Sequence, residues 1–195
     1  MASASNSASR CSPRSADQVL ITLSGLPGSG TSTVARVVAA RLGLNHVDGG
    51  SAFREMAAER GLSLAEFAEL AEGDDVIDRA LDDRLLQHAR DGELLLESRL
   101  AGWLVTRGEV PALRVWIECD DVERARRVGG RDGHDLQEAV ATNSVREESE
   151  RTRYQTYYGI DLQDLSVYDL VIDSTALAPE EIIEKLVNAA NNRFA

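Results

Sequence analysis

The chain has 195 residues, 43% of them apolar, which supports one well-buried core and is too short for several, so a single domain with small excursions is expected. A net charge of −12 disfavours nucleic acid and anionic membrane as partners, because each phosphate contact needs a cation on the protein. Two cysteines, Cys11 and Cys119, lie far apart and indicate neither a disulfide framework nor a zinc site; with no apolar run as long as a membrane span, a cytoplasmic protein is expected.

Residues 1–17 are rich in Ser and Ala and read as a disordered tail, ahead of one domain over 18–195. Val19-Leu20-Ile21-Thr22-Leu23 is a β-branched apolar run with the signature of a buried strand. A glycine-rich stretch follows, and then Val34, Val37, Val38 and Leu42 share one face of a helix that Gly43 ends. Leu44–Asp48 predicts a second strand, Ser51–Arg60 a helix, and Ser63-Leu64-Ala65-Glu66 a capping box that opens another. Val76, Ile77, Ala80, Leu81, Leu85 and Leu86 keep a helical period among many Asp and Arg residues, whose acidic face is expected to be solvated.

Glu93–Glu97 predicts a third strand and Leu113–Ile117 a fourth, with a short helical or irregular piece around Trp103 between them. A helix over Asp121–Val128 is expected to give way to a mobile excursion at Gly129-Gly130-Arg131-Asp132-Gly133. Asp135-Leu136-Gln137-Glu138 opens a long helix to Tyr158; Tyr168–Asp173 is a fifth strand, and Pro179 starts the terminal helix. Strands alternating with helices imply an α/β fold with a five-stranded parallel sheet, helices on both faces and ligands at the carboxyl ends of the strands.

Chemistry enters at Gly25-Leu26-Pro27-Gly28-Ser29-Gly30-Thr31-Ser32-Thr33, between the first strand and the first helix. Strand, glycine turn and helix in that order let backbone N–H groups converge on a phosphate, as in a P-loop. Ser32 holds the position whose hydroxyl ligates magnesium, and Glu97, closing the third strand, is placed to order a water on the same ion. Thr31 stands where the general P-loop pattern has its lysine. Only Lys185 among the 21 basic residues is lysine, so phosphate chemistry here must be run by guanidinium groups.

Arginines recur just beyond the strand ends: Arg54 after the second, Arg99 after the third, Arg131 in the glycine-rich excursion, and Arg146, Arg151 and Arg153 in the long helix. Glu150 lies at i+4 from Arg146 and shares its face. One cradle for a phosphate donor plus guanidinium groups for a second anion describes a site joining two phosphorylated species. An acceptor phosphate is already ionised at neutral pH and needs no general base, so His46, His88 and His134 are assigned no role.

These segments resemble the nucleoside monophosphate kinases, and within them the archaeal-type cytidylate kinases, from Val19 to about Val187. In that branch the loop is similar to Gly28-Ser29-Gly30-Thr31-Ser32-Thr33, threonine included; Asp48–Arg54, Leu96–Trp103 and Arg146–Asp161 match its acceptor, third-strand and closing segments. The resemblance implies ATP as donor, Mg²⁺ as cofactor and CMP or dCMP as acceptor, in a monomer with an acceptor-binding segment at about 49–92 and a lid at about 128–153. It implies that Arg54 and Arg99 hold the acceptor phosphate, that Arg131, Arg146 and Arg153 serve the transferring phosphoryl group, and that Glu150 accepts from the cytosine amino group. The alternatives left open are a related kinase with another small acceptor (UMP, AMP or an alcohol) and a nucleotide-binding regulatory protein without turnover.

Overall fold

The computed structural model describes residues 18–194, so the tail expected at 1–17 lies outside the described residues. Five strands, β1 (Leu20–Gly25), β2 (Asn45–Asp48), β3 (Leu94–Glu97), β4 (Leu113–Glu118) and β5 (Leu170–Asp173), form one parallel sheet in the order β2-β3-β1-β4-β5. β1 is central and wholly buried, as Leu20, Ile21 and Leu23 favour, with the hydroxyls of Thr22 and Ser24 buried beside them. Its neighbours leave it on opposite sides, so the chain after Gly25 opens at the point where strand order reverses.

Helices cover both faces. α1 (Thr31–Leu42) and α8 (Pro179–Phe194) bury Val34, Val38, Ile182, Ile183 and Leu186 against Ile21, Leu23, Val115 and Ile117. α4 (Asp75–Asp91) and α5 (Ala101–Arg107) bury Leu81, Leu85 and Val105 against Leu20, Leu94 and Leu96 on the other face. α2 (Gly49–Glu59) and α3 (Leu64–Glu72) form a small satellite core around Phe67, and α6 (Asp121–Asp132) and α7 (Leu136–Tyr158) make a helical hairpin. Both expected capping boxes are present, at Ser63 with Glu66 and at Asp135 with Glu138.

Two expectations are corrected. The helix over Asp121–Val128 does not yield to an irregular excursion: α6 runs through Gly129, Gly130 and Arg131 to Asp132 and ends on Gly133 in the left-handed conformation. A helical glycine costs about 0.5–1 kcal/mol relative to alanine, and at Gly129 the turn requires it, because a Cβ there would stand 2.9 Å from the His134 carbonyl oxygen. The acidic face of α4 is not wholly solvated either, because Asp78 and Asp82 are buried where α7 crosses it.

Candidate active site

The glycine-rich loop joins β1 to α1 as the sequence requires. Gly28 and Gly30 have φ of 86° and 96°, the left-handed region that side chains disfavour. At Gly28 a Cβ would also stand 2.5 Å from the Arg124 carbonyl oxygen, so the loop rests directly on α6. The Leu26 carbonyl accepts from Ser29 N within the turn, and Thr31 begins α1 with its side chain buried. Loop amides and the N-terminus of α1 therefore face the same space, which suits a phosphate.

At the carboxyl end of β3, Glu97 accepts from Ser32 Oγ at 2.6 Å and lies 2.9 Å from His46 Nε2. A hydroxyl and a buried carboxylate side by side at the foot of a phosphate loop are the oxygen donors a magnesium ion takes, directly or through water, so these residues fit the ion. His46 sits on β2 two residues before Asp48, and sequence reasoning gave it no part; the β2–β3 pairing, which aligns Asp48 with Glu97, is what brings it near.

Next to this pair lies an arginine bracket. Arg99 donates from Nε to Glu150 Oε2 at 2.7 Å and from Nη1 to the Gly25 carbonyl at 2.5 Å. Arg146 donates from Nε to the other oxygen, Glu150 Oε1, at 3.0 Å. Burial alone would raise the Glu150 carboxyl, but the two guanidinium groups outweigh it and hold it below its ordinary value. Three expected site residues thus come together at the first residue of the phosphate loop. Both Glu150 oxygens already accept, so a contact with a cytosine amino group would have to use their remaining lone pairs.

Arg153, one turn further along α7, is 4% exposed and pairs with Asp78 of α4 through Nη1, while its Nε is buried without a hydrogen-bond partner. Its guanidinium lies over the Phe53 and Tyr154 rings, 5.4 and 5.7 Å from their centroids. Burial raises Asp78 despite the opposing pull of Arg153. Asp82, a turn along α4, accepts from Tyr158 Oη at 2.7 Å, and burial pushes its carboxyl up to about 7. These contacts fasten the C-terminal half of α7 to the acceptor-side helices, together with Tyr157 Oη, which donates to the Ala71 and Glu72 carbonyls.

The remaining expected residues lie apart from the bracket. Arg54 is half exposed on α2, where Nη2 donates to Ser51 Oγ at 2.8 Å; Asp48 accepts from Gly50 N and caps that helix. Arg131 is exposed near the end of α6 and forks onto the adjacent Asp132. Two arginines that sequence reasoning passed over, Arg124 and Arg127, reach the back of the phosphate loop from α6. Their i, i+3 spacing marks a helix face; that the loop would lie on it was not legible from the sequence.

The chain matches the cytidylate kinase-like family over residues 20–176. It is 42% identical over 174 residues to a cytidylate kinase of Pyrococcus horikoshii, covering 89% of this chain and 88% of that protein. With the cytidylate kinase of Haloquadratum walsbyi it shares 47% identity over 173 residues, covering 88% of each. Among solved structures, a shikimate kinase from Bacteroides thetaiotaomicron superposes with a TM-score of 0.60 at 13% identity, covering 89% of this chain and 98% of that one. A gluconokinase from Sinorhizobium meliloti gives 0.58 at 17% identity, with 92% and 94% covered, and both likenesses concern the fold alone. Loop, carboxylate and arginine bracket stand on an α/β frame that kinases share, and at the level of sequence the chain belongs to the cytidylate kinase-like family.

Proposed function

We propose that this protein transfers the γ-phosphoryl group of ATP to CMP and dCMP, giving the diphosphate and ADP. The observation that carries the reading is the bracket of Arg99 and Arg146 on Glu150, anchored to the Gly25 carbonyl at the base of the phosphate loop. Guanidinium groups held there neutralise a second anion facing the donor, and a phosphate acceptor needs charge neutralisation and alignment rather than a base. The names of the curated relatives supply the cytosine nucleotide.

In this reading residues 25–33 cradle the donor phosphates, and Ser32 with Glu97 holds magnesium, which neutralises phosphate oxygens when bound. Arg54 and Arg99 take the acceptor phosphate. Arg146 faces the transferring group, with Arg131 approaching from the tip of the hairpin. Arg153 reaches the same centre only by opening its pair with Asp78, and otherwise fixes α7 around the acceptor. Glu150, with both oxygens engaged, braces the two arginines in place of reading the base. In this reading the protein acts in the cytoplasm as a monomer. Among the described residues no helix is long and apolar enough to cross a membrane.

A coupled ADP-release assay with ATP, magnesium and a panel of CMP, dCMP, UMP, AMP and GMP tests the proposal. CMP or dCMP should give the highest kcat/KM. A preference for AMP or GMP would overturn the cytosine assignment, and no turnover with any acceptor would overturn the kinase.

A further inference from the structure

Three alternate carbonyls of the phosphate loop are each capped by an arginine from outside it. Gly25 O accepts from Arg99, Pro27 O from Arg124 Nη1 at 3.1 Å, and Ser29 O from Arg127 Nη1 at 3.3 Å. Ser174 Oγ adds a second donor to Ser29 O at 3.0 Å. Oxygens secured outward leave the intervening amides free to converge inward, which is the condition for binding a phosphate. An ammonium group at residue 31 could have gathered this backbone from within; Thr31 cannot.

Arg124 is the most enclosed of the three, at 3% exposure. Its Nε donates to the Cys119 carbonyl at 3.2 Å and its Nη2 to Asp121 at 2.6 Å, and both terminal nitrogens fork onto the Glu147 carboxylate of α7. The carbonyl of this residue is the atom that a side chain at Gly28 would strike. One residue thus touches the end of β4, the bend of the loop and the middle of α7. Burial alone would lower the Arg124 guanidinium, but Glu147 and Asp121 outweigh it and raise it, so it stays charged.

We infer that Arg124 is a positioning residue for the donor phosphates, and that the Glu147–Arg124 pair makes the geometry of the phosphate loop depend on where α7 lies. Glu147 is on the helix whose later turns are fastened to the acceptor-side helices through Arg153 and Tyr158. Movement of α7 against that side therefore reaches the donor loop through two braced arginines, Glu147–Arg124–Pro27 and Glu150–Arg99–Gly25. A charge-assisted, forked contact is geometrically demanding, and an ammonium group with three donors on one nitrogen cannot serve the four groups that Arg124 holds, Cys119 O, Pro27 O, Asp121 and Glu147.

The inference rests on the loop binding an adenine nucleotide, and its test is separable from the choice of acceptor. ADP binding with magnesium is measured by calorimetry on wild type, Glu147→Gln, Arg124→Lys and the double variant, beside melting temperature and the KM values for ATP and CMP. Glu147→Gln and Arg124→Lys are each expected to weaken ADP and raise KM for ATP by about tenfold, with KM for CMP changed less than about twofold. The double variant should be no worse than the weaker single one, as for residues acting through one contact. Unchanged ADP affinity, additive losses, or equal rises in both KM values with a fall in melting temperature would overturn the inference. Wild type that binds ADP yet phosphorylates no cytosine nucleotide would sink the proposed function and leave this coupling to be judged on the variants; wild type that binds no adenine nucleotide would sink both.

Discussion

Arg153 Nη1 donates to both carboxylate oxygens of Asp78, at 2.6 and 2.8 Å, joining the C-terminal half of α7 to the first turn of α4 with neither side chain open to solvent. Such a pair gains little over a well-packed apolar contact, because both charges are desolvated, yet removing one partner strands the other. Asp78→Ala should therefore cost about 3–5 kcal/mol in urea unfolding, and Asp78→Ala with Arg153→Met should recover part of it. A loss below about 1 kcal/mol for the single variant would mean that water reaches the pair.

Glu150→Gln removes the charge between Arg99 and Arg146 while keeping the shape. As a brace, it should lower kcat/KM for CMP and UMP by similar factors, about tenfold or more, because both arginines lose a charged partner. Relative kcat/KM for the two acceptors is the measurement. A loss confined to CMP would return Glu150 to the base.

Asp82 predicts a pH dependence of stability. Its folded carboxyl titrates at about 7 against 3.8 in the unfolded chain, so the native state binds the proton more tightly. Below the unfolded value both states are protonated and the group contributes nothing; as pH rises through this window the unfolded state is favoured. Relative to Asp82→Asn, wild type should lose up to about 4 kcal/mol between pH 4 and 7, read as the difference between the two urea-unfolding profiles. Parallel profiles would show that the carboxyl ionises freely in the fold.

Thr31→Lys adds the ammonium group that most phosphate loops carry. The side chain at 31 is buried against the loop, and the Gly25, Pro27 and Ser29 carbonyls are already capped from outside. kcat at saturating ATP, CMP and magnesium should therefore stay level or fall. A rise of about tenfold or more, a gain of the size expected from new transition-state stabilisation, would mark the loop as impaired by its threonine.

What was legible in the sequence is what local pattern determines. Buried parallel strands are short runs rich in apolar and β-branched residues, so Val19–Leu23 and Leu113–Ile117 announced β1 and β4 despite Thr22 and Arg114, and side-chain caps at Ser63 and Asp135 fixed two helix starts. The phosphate loop was legible because its glycines and hydroxyls are contiguous. Residues that act across the fold were only partly so. Arg99, Arg146 and Glu150 stood out by their places beyond a strand end and along one helix face, whereas Arg124 reads as one more arginine in a charged helix until α6 is set behind the loop. The approach of His46 to Glu97 and the burial of Asp78 and Asp82 were not legible for the same reason: their partners lie 51, 75 and 76 residues away in the chain.

The turn between α6 and α7 occupies only residues 133–135, and a Cβ on Gly129 would stand 2.9 Å from the His134 carbonyl oxygen and 3.3 Å from Ala139 Cβ. The hairpin is thus an arm with a fixed elbow, and its reach is set by helix length rather than by loop slack. A side chain on Gly130 would meet nothing within 4 Å, so the outer side of the elbow accepts bulk that the Gly129 side does not, whereas Gly133, at φ 77°, is held to glycine by its backbone. Bulk added at Gly130 would thicken the tip while leaving Arg124, Glu147 and Glu150, further down the two helices, in register with the loop and with Arg99.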